Sequence, residues 1–182
     1  PNLTLSQATL QVGLERNALF DAWRMASSGD TLELTSSGEY LLDSLLYIDK
    51  QITIRSAPGL ESRPSIRNVT PDIDTRFIFE ILSGGDLTLI GLNMDGMAGS
   101  NTPAKYLIKT ATTARPYKLT VDQCVLHDVV IGENGNFFRA YSDTYADSVR
   151  FTNSLFYNAG REGIRLKAVS YTHLTLPTIA GV

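Results

Sequence analysis

Five short triplets share one pattern, apolar then polar then apolar: Leu32-Glu33-Leu34, Ile52-Thr53-Ile54, Leu87-Thr88-Leu89, Leu119-Thr120-Val121 and Val149-Arg150-Phe151. In an extended chain successive side chains point to opposite faces, so each triplet sends its apolar side chains one way and its polar one the other. The last three triplets extend into segments, Leu87 to Gly96, Leu119 to Asp128 and Val149 to Asn158, that align without gaps at offsets of 32 and 30 residues. Met94, Leu126 and Phe156 then coincide, and the closing residues Gly96, Asp128 and Asn158 are of the types that enter left-handed backbone conformation most easily. Repetition at such a period is the mark of a solenoid.

Further apolar stretches, Phe77 to Ile81, Tyr106 to Lys109, Phe137 to Arg139 and Gly163 to Lys167, fall between these segments. Each turn therefore holds about three short strands. Parallel strands need long crossovers, and a coil supplies them because each strand pairs with its counterpart one turn away. The fold expected is all-β, a right-handed single-stranded parallel β-helix. Loops rich in Gly, Asn, Ser and Pro, at Gly96 to Lys105 and Gly132 to Asn136, would project from its edge.

Ahead of the triplets, Leu14, Ala18, Leu19, Ala22, Trp23 and Ala26 fall near one face of a helix. Its expected length is about fourteen residues, ending at Ser27-Ser28-Gly29. Such an amphipathic helix is a natural lid for the open first coil. Residues 1–10 read as a linker or the end of a preceding segment, 11–167 as a β-helix truncated at its C-terminus, and 168–182 as a non-native tail. From Ala168 to Val182 there is no charged residue, whereas Asp143 to Lys167 carries three acids and four bases. Val169 to Ile179 looks like translated sequencing adapter, in which case His173 carries no information. The alternative is that Thr172 to Leu176, which alternates, is a genuine strand.

A net charge of −3 argues against a nucleic-acid binder, which normally needs a net basic face, so any anionic partner must meet a local patch. The single cysteine, Cys124, excludes an internal disulfide and any multi-thiolate zinc site, and reads as a small buried apolar side chain. No run of about eighteen apolar residues suggests a membrane span.

The order of an N-terminal helix, Gly29 to Leu34, Gly38-Glu39-Tyr40 and Gln51 to Arg55, followed by Leu119 to Asp128 and Val149 to Lys167, resembles secreted bacterial β-helix proteins of the pectate-lyase-like group. The resemblance spans roughly residues 10 to 167. It looks most like two sets, the chondroitinase-B-like lyases that cleave alginate and chondroitin, and uncharacterised β-helix modules of Bacteroidetes surface proteins concerned with polysaccharide use. It implies a lyase-like, polysaccharide-active protein that acts on or binds uronic-acid-containing polysaccharide, located in the secreted, periplasmic or cell-surface compartment. The same coils also serve without catalysis, which leaves a carbohydrate-binding or surface-display module, or a plain spacer, as alternatives.

Lyases that cut uronic-acid polymers must neutralise the sugar carboxylate, remove the proton on the neighbouring carbon and help the glycosidic oxygen leave. The resemblance implies calcium held by acidic and amide side chains, a lysine base and a nearby arginine, in a strand that falls near Arg161 to Lys167. Lys167 and Arg165 are then the candidate catalytic residues and Glu162 the candidate metal ligand. The sequence departs from the family there: it has one glutamate rather than a pair, and a shorter spacing to Lys167.

Alternation supplies a reading independent of the family. If Phe77, Phe79, Tyr106, Ile108, Phe138, Ile164 and Leu166 face the core, then Glu80, Lys109, Arg139, Arg165 and Lys167 face outward. With turns about 4.8 Å apart, Lys109, Arg139 and Arg165 form a basic ladder about 10 Å long, with Lys167 adjacent. These four are the candidate substrate-binding residues for an anionic polysaccharide, arginine being suited to bidentate carboxylate contact. The alternative is a solvated face on which Glu80 balances Lys109. His127 reads as a turn residue, and Asn93, Asn153 and Asn158 as turn or stacking residues. Asp95, Asp122, Asp128, Glu133, Asp143, Asp147 and Glu162 could supply a calcium site with oxygen ligands, but none shows a calcium-loop spacing, and the other reading is solvated turn acids. Tyr141, Tyr145 and Tyr157 suit either sugar stacking or the core.

Overall fold

A computed structural model describes residues 7–72, 74–97, 103–130, 135–160, 162–167 and 170–175. Every strand pairing among them is parallel, and three sheets run the length of the molecule. The first contains β1 (Thr9–Val12), β2 (Thr31–Leu34), β5 (Gln51–Ser56), β8 (Asp86–Ile90), β11 (Tyr117–Asp122), β14 (Tyr145–Thr152) and β17 (Ser170–Thr175), in that order. The second contains β3 (Glu39–Leu42), β6 (Ser65–Asn68), β9 (Asn93–Asp95), β12 (Val125–His127) and β15 (Leu155–Tyr157). The third contains β4 (Leu46–Ile48), β7 (Phe79–Ile81), β10 (Tyr106–Thr110), β13 (Asn136–Ala140) and β16 (Ile164–Leu166). The chain visits the sheets in rotation, and the fold is a parallel β-helix.

All five triplets lie in the first sheet. Leu87, Leu119 and Val149 stack in register, as do Leu89, Val121 and Phe151, and Met94, Leu126 and Phe156 stack in the second sheet. One register differs from simple triplet stacking: Leu32 lies opposite Ile54, a shift of two residues that preserves the inward face. The inward rows fill a continuous core in which Tyr40, Phe79, Tyr117, Phe137, Phe138 and Phe151 are the largest buried side chains.

Asp128 and Asn158 turn the chain with φ of 57° and 55°, as expected of left-handed residues. Gly96 is not in that conformation; its turn needs glycine because a Cβ would lie 2.3 Å from the Asp128 carbonyl oxygen. A second left-handed row, Gly91, Gln123 and Asn153, turns the chain between the first and second sheets. Gln123 hides that row from the sequence. The loop residues 98–102 and 131–134 lie outside the described residues.

Paired strands are present beyond both ends of the 11–167 segment. Thr9 and Leu10 pair with Thr31 and Leu32, so the sheet starts inside the segment read as a linker. At the other end, Ser170–Thr175 pairs with β14, which is the strand alternative for the tail; 168–169 and 176–182 lie outside the described residues. A strand edge accepts any alternating segment, so this pairing follows from Leu174 packing on the core and Thr175 lying outside, whatever the segment's origin.

The capping helix α1 is shorter than expected, Ala18–Met25 rather than about fourteen residues, and Leu14 lies outside it, exposed. Asn17 adopts φ 64° and donates its backbone N–H to Leu41 O at 2.9 Å, so the preceding segment is tied to β3 and cannot continue the helix. At the far end Lys50 Nζ donates to Trp23 O and Ala26 O, satisfying carbonyls that the helix leaves open.

Hydrogen bonds from Arg16 and Asn17 hold the Asp43 carboxyl down at about 2. Because the folded value is depressed, the pairing is present above the ordinary carboxylate range and is lost as pH falls through about 2. The pair is largely exposed, so its effect on stability is small, and titration is the sensitive readout. An NMR titration should place the Asp43 carboxyl midpoint well below the other exposed aspartates. A midpoint in the ordinary range would show that the helix start is not anchored this way.

Candidate functional site

Tyr47, Glu80, Lys109, Arg139 and Arg165 form one row of Cα partners across the third sheet, on its outer side. Each follows an inward residue, Leu46, Phe79, Ile108, Phe138 or Ile164, so the pleat itself aims the row outward. The expected basic ladder is therefore in register. Lys167 lies just beyond β16, exposed, with its backbone N–H donating to Ala140 O at 3.3 Å.

One expected core residue, Tyr106, lies elsewhere, while Phe77 is buried as expected. Ile78 and Phe79, Leu107 and Ile108, and Phe137 and Phe138 are consecutive pairs in which both members enter the core, because the backbone turns a corner at the strand start and alternation fails there. Phe77 is buried at the edge of the main cluster, and Tyr106 is only partly buried. Lys109 Nζ sits 4.3 Å from the centre of the Phe77 ring, and Tyr106 becomes a wall of the cation row.

The cations of the row are not equivalent. Lys109 Nζ lies 3.2 Å from the Glu80 carboxylate, both groups being mostly buried, so its charge is balanced within the fold. Arg165 lies 3.8 Å from Glu162, a loose pairing on a partly exposed surface. Arg139 has no carboxylate partner among the described residues. Its guanidinium carbon is 5.2 Å from the Tyr106 ring centre and 4.9 Å from that of Tyr141. Nη1 donates to the Tyr106 hydroxyl at 2.7 Å, while Nε is buried without a partner. A buried, unbonded donor on a cation is uncommon and costs about 1–3 kcal/mol. The arrangement of charge, two phenol rings and an unused donor suits a planar anion such as a carboxylate.

The calcium site that the family resemblance implies calls for acidic and amide oxygens around Glu162. Ca2+ takes about six to eight oxygen ligands. Glu162 is exposed beside the Arg165 cation, and among the described residues it joins no group of metal-competent side chains. The turn acids have other partners: Asp122 accepts from the Thr152 hydroxyl and the Asn153 amide, and Asp143 lies 3.8 Å from Arg115. Glu133 lies outside the described residues. Tyr145 is half-buried in β14. Cys124 is buried as expected, and burial pushes its thiol up to about 11. His127 is not an exposed turn residue; it is nearly buried, with both ring nitrogens engaged.

No family model matches the chain, and no curated protein matches it. Among solved structures, the PL6 family alginate lyase AlyGC is similar, with a TM-score of 0.68 and 27% identity over 88% of this chain. The match takes in 22% of that enzyme, so the chain spans about a fifth of its length. The β-helix is of the kind found in a polysaccharide lyase, which supports the family resemblance in that coarser form. No described helix is long and apolar enough to cross a membrane.

Proposed function

We propose that this chain belongs to a lyase-like, polysaccharide-active β-helix protein that binds uronic-acid-containing polysaccharide along the outer face of β7, β10, β13 and β16. The observation that carries this reading is Arg139, a cation held between Tyr106 and Tyr141 with no carboxylate partner among the described residues and a buried donor unused. A sugar carboxylate supplies the missing countercharge to the guanidinium, and the phenol rings offer faces for the pyranose. Lys109 and Arg165 flank the bound chain, and Lys167 reaches it from the strand end. The likeness to an alginate lyase supports a uronate polymer as the partner, and a secreted, periplasmic or cell-surface location.

In the catalytic form of this reading, Arg139 and Arg165 neutralise the carboxylate and so acidify the neighbouring carbon–hydrogen bond. Lys167, in its neutral form, takes that proton. The electron pair forms the new carbon–carbon double bond, and the glycosidic carbon–oxygen bond breaks, its oxygen leaving with a proton from solvent. The alternative, a non-catalytic carbohydrate-binding or display module, is favoured by the exposure of Lys167, since a base working at neutral pH is normally desolvated.

Calorimetry of the full chain with alginate, chondroitin sulfate and polygalacturonate oligosaccharides tests the reading, alongside the ultraviolet absorbance of unsaturated uronic ends with and without calcium. Replacing Arg139 by Ala should weaken binding about 10- to 100-fold, and Lys should not restore it. A rise in absorbance lost in Lys167→Ala assigns the lyase, and binding without a rise assigns the display module. Binding unchanged in a folded Arg139→Ala variant would overturn the site.

A further inference from the structure

The second sheet carries a cluster that the cation row does not use. Asp95, His127 and Tyr157 are Cα partners on the outer face of β9, β12 and β15, and Asp128 follows at the left-handed turn. Gly96 N donates to His127 O at 3.0 Å, and the Gly96 Cα packs so closely on the Asp128 carbonyl that no side chain fits. The two turns bearing the carboxylates are thereby locked together. His127 Nδ1, one Asp95 oxygen and one Asp128 oxygen all lie within 4.8 Å of one another.

We propose that Asp95, His127 and Asp128 bind a divalent transition-metal ion of the zinc class on this face. His127 Nε2 lies 3.0 Å from Asn93 Oδ1, while the amide nitrogen of Asn93 donates to Ser65 Oγ. An amide oxygen only accepts, so the ring proton belongs on Nε2 in the neutral imidazole. The Nδ1 lone pair then faces Asp128 Oδ2 at 2.7 Å and Asp95 Oδ1 at 3.9 Å. A lone pair facing two carboxylates is repelled unless positive charge lies between them, either a proton on Nδ1 or a metal ion, and the donor set offers a place for the metal.

Each donor is also held from behind, as metal ligands usually are. Asn93 orients the imidazole, the Asn158 amide donates to Asp128 Oδ1 at 2.7 Å, and the Met97 N–H and Arg67 fix Asp95. Tyr157 stacks on the His127 ring at 4.9 Å and 7°, covering one side. The charge is unbalanced: Glu39, Asp95 and Asp128 stand against Arg67, which already bonds both Glu39 and Asp95. One imidazole with two carboxylates suits Zn2+ and its neighbours, whereas Ca2+ takes oxygen ligands alone. This inference does not depend on the polysaccharide reading.

Calorimetric titration of the full chain with Zn2+ alone, and visible absorption with Co2+, test it. The expected result is one Zn2+ per chain at micromolar or better affinity, with Co2+ d–d bands of low coordination number. His127→Gln and Asp128→Asn, each checked for fold by circular dichroism, should weaken Zn2+ at least tenfold and abolish the bands, while His173→Ala leaves both unchanged. No Zn2+ binding below about millimolar, equal binding by His127→Gln, or preference for Ca2+ would overturn the site. The cluster would then be a hydrogen-bond network closed by a proton.

Discussion

Phe151→Ala should destabilise the fold by about 3–5 kcal/mol, read as a lowered midpoint in urea unfolding with little change in slope. Phe151 is fully buried and opposite Val121 in the first sheet. Its ring centre lies 6.1 Å from Phe138 and 5.7 Å from Phe156, so one side chain joins contributions from all three sheets. Truncation loses its transfer energy and leaves a cavity that stacked strands on both sides resist closing. Leu155→Ala, at a position 58% exposed, is the control and should change stability by no more than about 0.5 kcal/mol. A loss below about 1 kcal/mol for Phe151→Ala would mean that β14 pairs in another register.

Gly85→Ala is expected to cost about 3 kcal/mol, at the upper end for overpacking. Gly85 closes the turn after β7, where its N–H donates to Leu82 O and the preceding Gly84 N–H donates to Pro116 O. A Cβ there would lie 2.1 Å from Ile48 O and 3.1 Å from Leu82 O, both backbone atoms that cannot swing aside. Ile48 O also accepts the Leu82 N–H, so moving it breaks the link between successive coils. Gly59→Ala separates this steric effect from backbone strain. Its φ is +81° with open space around it, and left-handed strain alone costs about 1–2 kcal/mol. A cost for Gly85→Ala no larger than for Gly59→Ala would show that the coil spacing at this turn is looser than described.

The cation row was legible because alternation is a local rule: once Ile108 and Phe138 face inward, Lys109 and Arg139 must face out. The inequality among its members was not. Glu80 as a balance for Lys109 could be read from the row, but that Arg139 lacks a carboxylate partner among the described residues follows from which residues one coil places beside another. The roles of Tyr106 and Tyr141 were hidden for a related reason. Tyr106 sits where the chain turns a corner and alternation lapses, and Tyr141 lies beyond its strand, where periodicity says nothing about direction. The His127 cluster was less visible still, since Asn93 and Asp95 are more than thirty residues away and meet it only through coil stacking.

By itself the sequence determined the coiled parallel sheets, the register of the later coils and the outward direction of Lys109, Arg139 and Arg165, because side-chain alternation and a repeat near thirty residues are carried by neighbouring residues. Tertiary structure alone decided where the helix starts, which glycines are needed for close approach rather than for left-handed turns, and which charges pair among the described residues. Those depend on distances between coils, and sequence periodicity constrains direction along a strand but not what the next turn brings against it.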